Sequence, residues 1–185
     1  MRRVADQLHG DMIDFGAQLL DPVRVGLTGF RQYDQAFGSG RHPTTCMCLE
    51  ALPGRAAGCR VLDYGAGSGI LAMAALRHGA SRADGIEIDP VAIECATRNA
   101  IRNGLDDAVS FYLPEQAPSG QYDLVLANIL LNPLVELAPD IAARVMPAGR
   151  LLVTGILVEQ RAALVAAYPD FSFEELAVET GWVLL

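Results

Sequence analysis

From Arg60 onward the chain alternates short apolar runs with stretches of helical spacing, and this alternation constrains the fold more than any other feature. Arg60–Tyr64 reads as a strand, Ile70–His78 as a helix stopped by Gly79, and Ala83–Ile88 as the next strand. Asp89-Pro90 opens a helix that runs to about Asn103 and ends at Gly104. Aspartate is a good N-cap there, and proline fits the first turn, where its missing N–H would have no partner anyway. Ala108–Leu113 reads as a third strand and Tyr122–Asn128 as a fourth. The fourth, "YDLVLAN", is apolar on both faces, as a central parallel strand covered by helices must be. Pro133–Met146 reads as helical, Arg150–Gly155 as a fifth strand and Glu159–Tyr168 as a further helix. Phe171–Val178 and Trp182–Leu185 flank Glu179-Thr180-Gly181 as an antiparallel hairpin. The expected architecture is α/β: a Rossmann-like, doubly wound, mostly parallel sheet of seven strands with a terminal antiparallel hairpin.

The rest of the chain narrows the partners. Its 185 residues carry a formal net charge of −8, which argues against a nucleic-acid backbone or an anionic membrane as the main partner. No apolar run is long enough for a membrane span, and "MRRVADQLHG" is not followed by the apolar core of a signal peptide. A cytoplasmic location is expected. Cys46, Cys48, Cys59 and Cys95 form no spaced disulfide framework and fit reduced thiols. His42, Cys46 and Cys48 do not make a metal site: Cys48 leaves the helical face that the other two share, and no fourth ligand follows. Val4, Leu8, Met12, Phe15 and Leu19 form one apolar stripe, so residues 3–20 are expected to be an amphipathic helix ended by Asp21-Pro22. The expected division is a helical extension over residues 1–33 and one catalytic domain over residues 34–185.

Ligands of doubly wound sheets lie beyond the carboxyl ends of the strands, at the first strand-to-helix turn. Here that turn is Gly65-Ala66-Gly67-Ser68-Gly69. A triphosphate loop needs lysine and then serine or threonine after its glycines, whereas Gly69 is followed by Ile70. A dinucleotide fingerprint needs Gly-x-Gly-x-x-Gly, and Asp63 at the strand end would repel a pyrophosphate by several kcal/mol in a partly dry cleft. S-adenosylmethionine carries a sulfonium and an ammonium and no phosphate, so an acid at that mouth favours it. Glu87 closes the second strand, where an acid can hold two ribose hydroxyls. Asp63 capping a turn, and Glu87 as a solvated strand-end charge, are the plainer alternatives.

Further stretches narrow the match: "FGSGRHPTT" (Phe37–Thr45), "VLDYGAGSGIL", "GIEIDP", "ANILLNPL" (Ala127–Leu134) and the terminal "GWVLL". Together they resemble the catalytic domain of the large-subunit ribosomal protein eleven methyltransferases, over roughly Asp34 to Leu185. The resemblance implies a class I methyltransferase fold, S-adenosyl-L-methionine as cofactor and methylation of protein amino groups. It also implies that Thr45, Gly65, Glu87 and Asn128 bind the donor, with Asp63 and Gly67 beside them. That family has aspartate where Glu87 stands, and the longer side chain still reaches a ribose. Its members also carry a separate amino-terminal recognition domain, for which the thirty or so residues before the motif are too few. The acceptor therefore stays open between a ribosomal protein, another protein or small-molecule amine, and a substrate captured by a separate chain.

Methyl transfer is an in-line displacement, so the enzyme mainly has to orient an unprotonated amine against the methyl group. Asn128, at the carboxyl end of a central strand, is the expected catalytic residue, its side-chain carbonyl accepting an N–H of the amine. The alternative is an asparagine that ties down its own loop. Ile129 and Leu130 supply no aromatic plate for a flat base or amide and suit an aliphatic amine better. "FGSGRHPTT" is expected to fold over the donor, Gly38 and Gly40 giving flexibility and Thr44 and Thr45 hydroxyls. His42 either assists proton transfer or fixes that loop.

Overall fold

The fold was obtained as a computed structural model, which describes residues 42–185. The expected helix over residues 3–20, and Phe37 to Arg41 of the donor loop, lie outside the described residues. Helix α1 (Pro43–Ala51) is followed by β1 (Arg60–Tyr64), α2 (Ile70–Arg77), β2 (Arg82–Ile86), α3 (Pro90–Asn103) and β3 (Val109–Tyr112). Then come β4 (Tyr122–Asn128), α4 (Leu131–Glu136), α5 (Ala138–Ala143), β5 (Val145–Thr154) and the short β6 (Ile156–Leu157). Helix α6 (Arg161–Ala167), β7 (Ala177–Glu179) and β8 (Trp182–Leu184) complete the chain.

Five strands form a parallel sheet in the order β3-β2-β1-β4-β5, and β6-β8-β7 form an antiparallel one. Val153 and Leu185 exchange both backbone hydrogen bonds, at 2.8 and 2.9 Å, and join the two. With β5 and β6 taken as one strand bent at Gly155, the seven strands of the expected sheet and its terminal hairpin are present. This is the class I methyltransferase fold.

The alternation of side chains along β1 and β4 explains why both strands sit in the middle. Val61, Leu124 and Leu126 face one apolar cluster, packed with Leu49, Leu52 and Met73. Leu62, Val125 and Ala127 face the other, with Leu134, Ile141 and Tyr168. Each fully buried leucine or isoleucine contributes about 1.5–3 kcal/mol, so both faces must be covered for either strand to persist.

Strand β2 ends at Ile86 rather than at the expected Ile88, which leaves Glu87 just beyond it, and two segments differ more from the sequence expectation. The helix expected over Pro133–Met146 is two helices, α4 and α5, that meet at Leu137 (φ −93°, ψ 5°). Pro139 sits in the first turn of α5, where its ring and missing N–H oppose one continuous helix. The chain is already extended by Val145, and Met146 to Gly149 loop out before Arg150 regains register with Leu124. The first hairpin strand is also shorter than expected, since only Ala177–Glu179 pairs with β8. Phe171 and Phe173 instead set their rings edge-on to Tyr168, each at 5.9 Å between centroids, and this packing draws the segment off the sheet edge.

Candidate active site

The carboxyl ends of β1, β2 and β4 converge on the glycine turn. Gly65 and Ala66 both donate backbone hydrogen bonds to the carbonyl of Ile86, at 2.8 and 2.9 Å, which pins the turn to the end of β2. Gly65, Gly67 and Gly69 all have positive φ (81°, 52° and 77°), so the turn runs through a region that residues with a side chain seldom adopt.

Glu87 lies one residue beyond β2. Its Oε2 accepts the Gly67 N–H at 2.9 Å, and its Oε1 accepts the N–H groups of Ile88 and Asp89 at 2.8 and 3.1 Å. An ionised carboxylate offers about four acceptor positions. Three are in use, and the half-exposed side chain keeps room for one more donor on Oε2. The carboxylate is thus held in place before any ligand arrives. Ile88 beside it is 80% exposed, an apolar surface at the mouth of the site.

Asp63 is buried and accepts the Ala72 N–H at 3.0 Å. Ala72 stands in the first turn of α2, whose N-cap Gly69 has no side chain to offer, so Asp63 serves that helix end from the neighbouring strand. Burial pushes its carboxyl up to about 7, against the downward pull of the Ala72 N–H; the negative charge of Glu87 adds to the rise. The turn-capping alternative therefore describes what Asp63 touches, and its charge lies under the same turn.

Asn128 and Thr45, 83 residues apart, meet at the end of β4: Asn128 Nδ2 donates to Thr45 Oγ1 at 3.3 Å. Thr45 is buried in α1 and Asn128 is half-buried, so the amide nitrogen is engaged and the Oδ1 acceptor is left for another donor. His42 caps α1. Its Nδ1 lies 2.8 Å from Thr44 Oγ1 and accepts the Thr44 N–H at 3.4 Å, and its ring meets Trp182 edge-on at 5.0 Å. These contacts tie His42 to the first turn of α1 and to Trp182. Gly38 and Gly40 lie outside the described residues.

One residue of the site went unmarked in the sequence. Asn99, fully buried on α3, donates from Nδ2 to the Ser68 carbonyl at 3.1 Å and so holds the glycine turn from behind. Asparagine is a poor helix former, which is a weak signal of such a role. Ile129, expected only as an aliphatic surface for the acceptor, also packs against Gly65, a contact for which the sequence offered no signal. Thiolate chemistry is disfavoured: burial raises Cys46 and Cys48 above the usual thiol range, with Glu179 and Glu50 adding to the rise at Cys46 and Asp63 at Cys48. A cavity of about 890 Å³ lies at the amino end of β5, lined by Met146, Arg150, Phe171 and Phe173 among others. The glycine turn, Glu87 and Asn128 do not line it, so it is separate from the site.

A family model described as "Ribosomal protein L11 methyltransferase (PrmA)" matches residues 34–185. The ribosomal protein L11 methyltransferase of Ectopseudomonas mendocina (strain ymp) is 52% identical over 151 residues, covering 80% of this chain and 52% of that protein. The corresponding protein of Pseudomonas aeruginosa (strain LESB58) is 50% identical over 151 residues, covering 80% and 51%. The chain spans about half the length of the curated relatives it matches. Among solved structures, a ribosomal protein L11 methylase from Lactobacillus delbrueckii subsp. bulgaricus superposes with a TM-score of 0.71 at 27% identity, covering 78% of each chain. An RNA methyltransferase from Salinibacter ruber, in complex with S-adenosyl-L-homocysteine, is 21% identical and shares the fold, with a TM-score of 0.55 over 68% of this chain and 76% of that one.

Proposed function

The chain belongs to the ribosomal protein L11 methyltransferase family, and from that premise we propose that it methylates amino groups of a protein, with S-adenosyl-L-methionine as donor and an L11-type ribosomal protein as acceptor. The observation that carries this reading is the meeting of Thr45 and Asn128 beside a glycine turn whose neighbouring carboxylate, Glu87, is already fixed. The donor set fits the cofactor. Glu87 Oε2 has an acceptor position for a ribose hydroxyl, exposed Ile88 suits a flat base, and the glycine turn admits close approach of the methionine portion. Asp63, under the turn, places negative charge where the donor is positive once the pH is above about 7. When bound, S-adenosylmethionine supplies an electrophilic methyl carbon on a sulfonium.

The residues do the positioning. Thr45 holds the Asn128 amide nitrogen, which turns Oδ1 toward an incoming amine N–H and aims the nitrogen lone pair. Leu130, 65% exposed and two residues on, offers an aliphatic surface that suits the methylenes of a lysine better than an aromatic base. We place the protein in the cytoplasm: all four cysteines are free, and among the described residues no helix is long and apolar enough to cross a membrane. We divide the chain into an extension over residues 1–33 and the methyltransferase domain over residues 34–185. A second reading follows from the coverage of about half of each relative: capture of the acceptor rests with a further domain or a separate chain.

Calorimetry with S-adenosylmethionine, followed by transfer of labelled methyl groups to purified L11-type ribosomal protein, tests both halves of the proposal. Binding of the donor with label on acceptor amines is expected. Binding of NAD with no response to the methyl donor would remove the assignment. Label on the acceptor only after a lysate fraction is added would select the second reading. Glu87→Gln keeps the shape but loses the charge, and donor affinity should fall by about 1.5–3 kcal/mol, the range for a hydrogen bond to a charged group. A change below threefold in Kd would return Glu87 to the status of a loop-capping residue.

A further inference from the structure

We propose that Ile129 is a positioning residue, a wedge seated between Gly65 and Gly155 that clamps the donor turn to the acceptor loop. Gly65 and Gly155 lie on different strand ends and share two properties. Both have positive φ, 81° and 88°, and at both the space a side chain would take is filled by Ile129. At Gly65 an added Cβ would collide with Ile129 Cγ2. At Gly155 it would fall 2.7 Å from the Ile129 carbonyl carbon and 3.0 Å from its nitrogen. The side chain of Ile129 therefore presses on the glycine turn while its backbone rests against the bend between β5 and β6.

Gly65 is also fixed by its hydrogen bond to the Ile86 carbonyl. The turn is thus held by both a hydrogen bond from β2 and a methyl group from the loop after β4. Packed interiors transmit such contacts because a gap of a fraction of an ångström already forfeits much of the dispersion attraction. Ile129 also follows Asn128 directly, so one residue sets both the position of the turn and the direction in which Asn128 leaves β4. Isoleucine suits this double task, because its branched Cβ is stiff about χ1 and holds Cγ2 at a defined point. The inference rests on the reading of the turn as an S-adenosylmethionine site.

Two substitutions separate the wedge from ordinary packing. Ile129→Val keeps the branched Cβ and the Cγ2 methyl and loses only the terminal carbon. Ile129→Leu conserves volume and hydropathy and removes the branch that touches Gly65. Calorimetric titration of the full chain with S-adenosylmethionine should leave Ile129→Val within about twofold of the wild type. Ile129→Leu should bind about tenfold more weakly, because a small gap at Gly65 forfeits the contact that sets the turn. Ile141→Val, in the core on α5, controls for stability: its melting temperature should fall with donor affinity unchanged. If Ile129→Leu and Ile129→Val bind the donor equally well, or if, as at Ile141→Val, only the melting temperature falls, Ile129 is core packing and the proposal is overturned. A wild-type chain that binds no S-adenosylmethionine overturns the donor assignment itself, and the wedge with it.

Discussion

Asn128→Ala should lower kcat by about 100-fold, with most of the loss persisting at saturating S-adenosylmethionine. The expectation follows from what the side chain is free to do. Its amide nitrogen is taken by Thr45, which leaves Oδ1 as the acceptor that an amine can use. An interaction made chiefly when the amine is aligned for attack appears in kcat, and a 100-fold change is about 2.7 kcal/mol of transition-state stabilisation. Thr45→Val removes the partner and leaves Asn128 in place, so it should produce a smaller fall in kcat and some loss of donor affinity. Steady-state rates against donor concentration distinguish the roles. Full recovery of Asn128→Ala at high donor would make Asn128 a donor-binding or loop-holding residue and leave amine orientation to another group.

Asp63→Asn should stabilise the fold at pH 8 while weakening donor binding. Burial holds the Asp63 carboxyl at about 7, against an ordinary value of 3.8. An acid whose pKa rises on folding holds its proton more tightly in the native chain than in the unfolded one. Its contribution is therefore most favourable below about pH 4, declines as pH rises from 4 to 7, and is flat above that. A shift of about three units corresponds to about 4 kcal/mol at its upper limit. Asparagine keeps an oxygen for the Ala72 N–H and carries no charge to desolvate. The difference in stability between variant and wild type should widen from pH 4 to pH 7 and then stay constant. Urea melts at several pH values measure it directly; a gap independent of pH would mean that Asp63 is ionised without cost. The donor should bind less tightly to the variant, because its positive charges lose a nearby negative one. Asp63 would then be a residue kept for function at the expense of stability.

The strands that centre the sheet were the most legible part of the sequence. Arg60–Tyr64 and Tyr122–Asn128 have the bounds that their doubly apolar pattern predicts, since a strand covered on both faces leaves little ambiguity of period. The capped helix after Asp89 was equally plain, and Asp89 accepts the Val91 N–H as an N-cap should. Where apolar spacing was shared by helix and strand, as from Pro133 to Arg150, the sequence could not say where one element gave way to the next. Pro139 was the decisive residue there. In the site, Glu87 and the glycines were legible from position along the strands, whereas the Thr45–Asn128 contact joins residues that no local pattern links. Ile129 was legible as an aliphatic surface after Asn128, and its packing role was not. That packing role lies in two glycines remote from it, which no local pattern links to an isoleucine.

The strand order has a kinetic consequence. In β3-β2-β1-β4-β5 the chain must lay down β2 and β3 before β4 can return to the open side of β1. That pairing has high contact order, and the entropy of closing so long a loop is lost before the contact rewards it. During synthesis a nascent chain that has emerged only through β3 holds Asp63, the glycine turn and Glu87, and lacks the strand that carries Asn128 and Ile129. The donor pocket is therefore completed late and all at once, when β4 inserts. Binding of S-adenosylmethionine reports that insertion, and in refolding experiments it should lag the recovery of helical circular dichroism.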